Sequence, residues 1–158
     1  MLNLISGALK LTAGEILLSG EPLSALPSHH IARKGVARTF QLVRVLPSLD
    51  ATQNVMAGAV FGHQNLWGSE AQHLAHSLLD RVGLGGREHM PVSAMTYIDQ
   101  KRVELARALA ANPRVLLLDE WLAGLNPSEL KIGIDLIDEL RVLGHEPHAA
   151  PHFGDIFA

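Results

Sequence analysis

The chain has 158 residues, a net charge of −3, and 47% apolar and 18% charged residues, which suits one globular domain with a core. That charge offers no basic face for nucleic acid, and no apolar run approaches the ~20 residues that span a bilayer. Cysteine is absent, which excludes disulfides. The opening Met1-Leu2-Asn3-Leu4-Ile5-Ser6-Gly7 has no positive stretch and is too short for a signal peptide. A cytoplasmic location is expected, with any membrane association made through a partner.

The opening stretch to Leu9 reads as the end of a helix, closed by Lys10 to Gly14. Glu15 to Ser19 and the continuation past Gly20-Glu21-Pro22 read as a strand pair, because Ile16, Leu17 and Leu18 lie between glycine punctuation. A short helix is predicted over Ser28 to Lys34, ended by Gly35, and Val36 to Phe40 is the next strand. From Ser48 to Ala94 the pattern is helical. Thr52 to Val60 is apolar at helical spacing, and Ser69 can cap a second helix carrying Ala71, Leu74, Ala75, Leu78, Leu79 and Val82. Gly83-Leu84-Gly85-Gly86 stops it. An amphipathic helix from Arg102 to Ala110 stops at Asn112-Pro113, with Asp99 as a candidate N-cap. The last helix runs from about Ser128 to Leu143, with Leu130, Ile134, Ile137 and Leu140 on one face.

Arg114-Val115-Leu116-Leu117-Leu118-Asp119-Glu120 is a short apolar run ending in two carboxylates, the pattern of a buried parallel strand that delivers acid to a crevice beyond its carboxyl end. Buried strands commonly end in a polar residue, so the run alone decides nothing. Its neighbours narrow the choice. Met95-Thr96-Tyr97-Ile98-Asp99-Gln100-Lys101 opens the preceding helix, Ala123-Gly124-Leu125-Asn126-Pro127 follows the acids, and Val36-Ala37-Arg38-Thr39-Phe40-Gln41 lies upstream. In order and spacing these resemble the signature, Walker B, D-loop and Q-loop of the ATP-binding subunit of ABC transporters. The Arg-Thr-Phe-Gln and Gly-Leu-Asn-Pro forms are most similar to subunits serving branched-chain amino acid importers. The resemblance runs from about Leu2 to about Gly144.

The resemblance implies an α/β fold, an incomplete P-loop NTPase (ABC-type) nucleotide-binding domain over 1–144 with a helical subdomain inserted at about 48–94. It implies ATP and Mg²⁺ as cofactors, ATP hydrolysis driving transport, and partners in the form of transporter membrane subunits and a second ATP-binding subunit, homo- or heterodimeric. Such a subunit would lie on the inner face of the plasma membrane. Asp119 and Gln41 would then meet Mg²⁺, and Glu120, with Gln41, would polarise the attacking water. Thr96, Tyr97, Gln100 and Asn126 would contact nucleotide across a dimer.

Departures from the family pattern accompany this likeness. The phosphate cradle G-x-x-x-x-G-K-[ST] does not occur in the sequence, and the resemblance reads as truncated at both ends. The signature Leu-Ser-x-Gly-Gln is matched by Met95, Thr96, Tyr97, Ile98 and Asp99, so a β-branched side chain replaces a glycine whose N–H approaches phosphate. Trp121 stands where the family has proline, either altering the turn or covering exposed sheet. The stretch His145-Glu146-Pro147-His148-Ala149-Ala150-Pro151-His152-Phe153 has two prolines and no β-branched run, so 145–158 is expected to be an irregular tail rather than a strand. Its histidines would align for a metal only on a helix that Pro147 and Pro151 deny. Two functions remain open: an ATPase subunit, or a non-catalytic remnant that keeps the helical subdomain as an interaction module; a chain without function is the third possibility. The polypeptide alone is expected not to hydrolyse ATP at a meaningful rate.

Overall fold

A computed structural model describes residues 1–40 and 42–143, with side chains except those of 139–143. Gln41 and the stretch 144–158, including the whole expected tail, lie outside the described residues. The order is α1 (Leu2–Ile5), β1 (Leu17–Leu18), β2 (Glu21–Pro22), α2 (Ser28–Arg33), β3 (Val36–Arg38), α3 (Ala51–Phe61), α4 (Gly68–Arg81), α5 (Tyr97–Ala110), β4 (Val115–Leu117) and α6 (Pro127–Leu143), with one 3₁₀ turn at Val92–Ala94.

The sheet content falls into two pairs. β1 and β2 form an antiparallel hairpin with Leu17 opposite Pro22 and Leu18 opposite Glu21. Its two turn residues, Ser19 and Gly20, both have positive φ, at 51° and 83°. That twist matches right-handed strands, and glycine takes it without strain. β3 and β4 are parallel, Val36 beside Val115 and Arg38 beside Leu117. The pairing starts where the Gly35 carbonyl accepts from the N–H groups of Arg114 (2.7 Å) and Val115 (3.0 Å), and it extends past β3 through Thr39 N–H to the Leu117 carbonyl at 3.0 Å. The apolar run thus forms the expected strand, joined directly to the strand that ends at Arg38. The two pairs are separate two-stranded units among the described residues.

Most of the core is helical. Ala51, Val55 and Ala59 recur every fourth residue on α3, and Ala71, Ala75, Leu78 and Leu79 line α4; all are buried with Val103, Leu105, Ala106 and Leu109 of α5. Small residues let α3 and α5 close up: a Cβ added at Gly58 would lie 2.1 Å from the Arg107 carbonyl oxygen. Asp50 caps α3 in a capping box, accepting from Gln53 N–H (2.7 Å) while the Gln53 side chain accepts from Asp50 N–H (3.1 Å). A smaller cluster, Leu23, Ile31, Val36 and Leu117 with Leu2, Ile5 and Ile16, joins α1 and α2 to the sheet.

Several boundaries differ from the sequence reading. α4 begins at Gly68 with Trp67 as N-cap and no side-chain cap, so Ser69 does not cap it. α5 begins at Tyr97, five residues before the predicted start, because Thr96 caps it through Asp99 N–H. Asp99 therefore lies inside the first turn rather than at the cap. The helix does end as predicted: Asn112, in the left-handed region at φ 50°, closes it before Pro113. On α6, Leu130 and Ile134 are exposed, and the buried face is Gly133 and Leu136 with Ile137 packed beside them. Leu140 lies outside the described side chains.

Candidate functional site

Asp119 and Glu120 stand at the carboxyl end of β4, beside the end of β3. Adjacent parallel strands bring Arg38 to Asp119 across 81 residues of sequence, as a guanidinium Nη2 to Oδ2 contact of 2.5 Å. Its other terminal nitrogen, Nη1, donates to Asn3 Oδ1 (2.7 Å) and Ser6 Oγ (2.9 Å), at α1. Arg38 is only 10% exposed and Asp119 28%, so this charge pair is shielded and geometrically fixed from three sides. Glu120 takes φ 46°, and its carbonyl accepts Ala123 N–H at 2.8 Å, making a tight turn immediately after the acids. A non-glycine residue in the left-handed region costs on the order of 1 kcal/mol, so the surrounding contacts must hold it there.

The start of α5 is more tightly committed than the sequence suggested. The Thr96 hydroxyl accepts Asp99 N–H (3.3 Å) and donates to Asp99 Oδ2 (2.7 Å). Asp99 is buried, and its carboxylate also accepts from Arg87 (2.6 Å) and Arg102 (3.4 Å). The negative charge that Asp99 brings to the signature position is neutralised within the chain. Ile98 is buried as well. Gln100 Nε2 donates to the Met95 carbonyl at 3.1 Å, and the Tyr97 ring stands partly exposed, 5.2 Å from the Lys101 ammonium. Asn126 caps α6: its Oδ1 accepts from Ser128 and Glu129 N–H at 3.1 and 3.0 Å, while Glu129 accepts Asn126 N–H.

Three charged residues with no site role expected from the sequence shape this region: Arg38, Lys101 and Glu104. Glu104, 1% exposed, accepts Arg44 N–H at 3.1 Å through Oε1. Arg107, one turn on, donates to the Arg44 carbonyl at 2.5 Å. One peptide residue is thus gripped on both its polar groups. Asn54 of α3 does the same for Leu46, accepting its N–H at 2.8 Å and donating to its carbonyl at 3.1 Å. The segment after position 41 is fastened to α3 and α5 by buried side chains. The signal available in the sequence was a glutamate and a lysine on a helix face otherwise filled by Leu105 and Ala108.

Burial raises the Glu104 pKa, opposed by the Arg44 N–H and the Arg107 charge, and its Oε2 is buried without a hydrogen-bond partner among the described residues. The sign follows from linkage. A carboxyl whose folded pKa exceeds its unfolded value favours folding at low pH, and that contribution is lost as pH rises through the folded pKa. Glu104→Gln, which keeps an acceptor for Arg44, is therefore expected to melt no lower than the parent at pH 7. The gain should vanish below about pH 4, where glutamate is protonated in both states. Thermal melts across pH check this; a parallel offset at every pH would count against a raised pKa.

The expected metal and nucleotide roles meet a specific obstacle. Mg²⁺ in such sites uses one or two carboxylates plus phosphate oxygens, yet Asp119 Oδ2 is held by Arg38. The Thr96 hydroxyl is engaged by Asp99, and no glycine-rich phosphate cradle occurs in the sequence. Among the described residues, Asp119 and Thr96 as held here do not by themselves make a Mg²⁺–nucleotide site. Among the described residues, no group of three or more histidine or acidic side chains converges as a metal site either.

The model of the ABC transporter family matches residues 1–123. The high-affinity branched-chain amino acid transport ATP-binding protein LivG of Escherichia coli is 39% identical over 155 residues, covering 88% of this chain and 60% of LivG. BraF of Pseudomonas aeruginosa, with the same description, is 38% identical over 153 residues, with the same coverage. The chain spans 60% of the length of these curated relatives. Among solved structures, a post-hydrolysis dimer of an ATP-binding cassette bound to ADP and Pi aligns with TM-score 0.75 and 25% identity, covering 88% of this chain and 62% of that one. A second cassette, in its ADP conformation, aligns with TM-score 0.78 at 22% identity over 90% of this chain and 60% of that one, a likeness of fold. The acid pair at a strand end, the helical pair packed on α5 and the family match agree, and the chain belongs to the ABC transporter family.

Proposed function

We propose that this chain is part of the ATP-binding subunit of an importer of branched-chain amino acids. It would carry the acid pair, the signature-position helix and the helical unit, in a subunit whose ATP hydrolysis drives uptake. The observation that carries the reading is the placement of Asp119-Glu120 at the carboxyl end of a parallel strand beside the strand that ends in Arg38. The identity to LivG and BraF supports the importer class. Glu120 polarises the attacking water and Gln41 assists it. Thr96, Tyr97, Gln100 and Asn126 lie toward a second ATP-binding subunit. A remnant acting only as an interaction module is favoured by one observation: Arg38 and Asp99 already occupy Asp119 and Thr96.

Membrane subunits dock on the helical unit in this proposal. Phe61 is exposed at the end of α3, beside a groove of about 240 Å³ lined also by Leu46, Ala57, Arg107 and Ala108. The groove is the element offered for attachment to the membrane subunits, at the cytoplasmic face. An exposed large apolar side chain beside a concave strip is the usual anchor of such contacts. The test is co-purification with the membrane subunits of a branched-chain amino acid importer. Phe61→Asp is expected to reduce recovery at least about 10-fold, as loss of an interface anchor does. Undiminished recovery would remove the groove from the interface.

A further inference from the structure

Lys101 has no solvent exposure, although its neighbours on α5 include the exposed Tyr97. Its ammonium donates to the carbonyls of Trp121 (2.6 Å) and Ala123 (3.1 Å). The Trp121 indole N–H returns a bond to the Lys101 carbonyl at 3.3 Å. Lysine and tryptophan therefore tie α5 to the turn after the acids in both directions. Both of these hydrogen bonds go to carbonyls; burial pulls the ammonium pKa down, and the Glu104 charge opposes that. A buried ammonium is costly unless satisfied, and here two carbonyls and the Tyr97 ring face share it. The tied turn begins at Glu120, which has a positive φ and whose carbonyl accepts from Ala123. On its far side Trp121 packs against α6, its ring Cζ3 being 3.2 Å from where a Cβ on Gly133 would lie.

We propose that Lys101 is a positioning residue for Glu120: its buried ammonium fixes the Trp121 and Ala123 carbonyls, and so fixes the left-handed turn that aims the Glu120 carboxylate. Trp121 is the reciprocal half of the tie. This gives the tryptophan in the family's proline position a role, since proline has no side-chain donor to return. The catalytic meaning of the aim rests on the function proposed above; the positioning itself does not.

The test uses the whole chain with Trp67→Phe, which removes the exposed indole and leaves Trp121 as the sole tryptophan. In that background Lys101→Met keeps side-chain length and removes the donors. The expected result is an unchanged far-UV spectrum, a red-shifted Trp121 emission with greater acrylamide quenching, and exchange of the Ala123 amide faster by at least about 10-fold. Exchange within α3 and α4 should stay as it was, which a general loss of stability would not allow. A folded Lys101→Met protein with unaltered Trp121 emission and Ala123 protection overturns the proposal. If that variant does not fold, the unsubstituted chain decides: Lys101 ammonium protons in ¹⁵N spectra should exchange slowly and show contacts to the Trp121–Ala123 turn. Rapid exchange like that of surface lysines overturns it equally. None of these readouts involves nucleotide. They can fail while Glu120 remains catalytic, and Glu120→Gln can leave the assembled transporter's phosphate release unchanged while they succeed.

Discussion

Gly58→Ala is expected to destabilise the chain by about 3 kcal/mol or more, at the upper end of overpacking costs. Alanine is the better helix former by about 1 kcal/mol, so an exposed site would gain from the change. Here the added methyl would meet the Arg107 carbonyl oxygen at 2.1 Å and its carbonyl carbon at 3.0 Å. Backbone cannot rotate away as a side chain can. α3 and α5 would have to separate, loosening Ala51, Val55 and Ala59 from Val103 and Ala106 together. Urea unfolding measures the loss, and a midpoint equal to the parent's would show that the two helices do not approach at this point.

Asp99→Ala is expected to cost about 2 kcal/mol, below the range for fully buried pairs because Arg87 is half exposed. Removing the carboxylate frees Arg87 and Arg102 and deprives the Thr96 hydroxyl of its acceptor. Asp99→Gln, which restores the residue of the family signature, should recover little. A neutral amide lacks the charge that both arginines use, and its extra methylene moves the acceptor away from the carboxylate's position. Calorimetry on the two variants decides it. Equal melting of the Gln variant and the parent would mean that the arginines contribute nothing here.

Local chemistry was legible where one or two residues decide an outcome. Asn112-Pro113 stops α5, the apolar run before Asp119 is a strand, and the Leu18–Glu21 turn follows its glycine. What escaped the sequence depends on pairs distant along the chain. Arg38 meets Asp119 only because β3 and β4 are parallel in one register. Lys101 and Glu104 are buried because carbonyls and N–H groups from the 121–123 turn and the 44 position come to them, and helical periodicity counts every charge as outward. On α6, choosing the face by apolar identity favoured Leu130 and Ile134. The core instead approaches at Gly133, where the absence of a side chain admits Trp121. The α5 start was misplaced for a related reason: Thr96 and Asp99 both can cap, and the arginines that claim Asp99 leave the cap to Thr96.

The double grip on Arg44 sets a mechanical limit. Thr39 is fastened to β4 through the Leu117 carbonyl, and Arg44 to α5 through Glu104 and Arg107. Five peptide steps join those two anchors, a leash of roughly 17 Å at full extension. At the other crossing, Ala111, Asn112 and Pro113 alone separate the end of α5 from the Arg114 N–H bound to Gly35. The Lys101 tie to the 121–123 turn holds α5 as well; once Lys101→Met releases it, the helical unit can swing about the shorter crossing only as far as the longer one pays out. A distance ruler between a probe beside β3 and one on α4 should therefore saturate at a fixed maximum, and cutting the Arg44 grip should lengthen it.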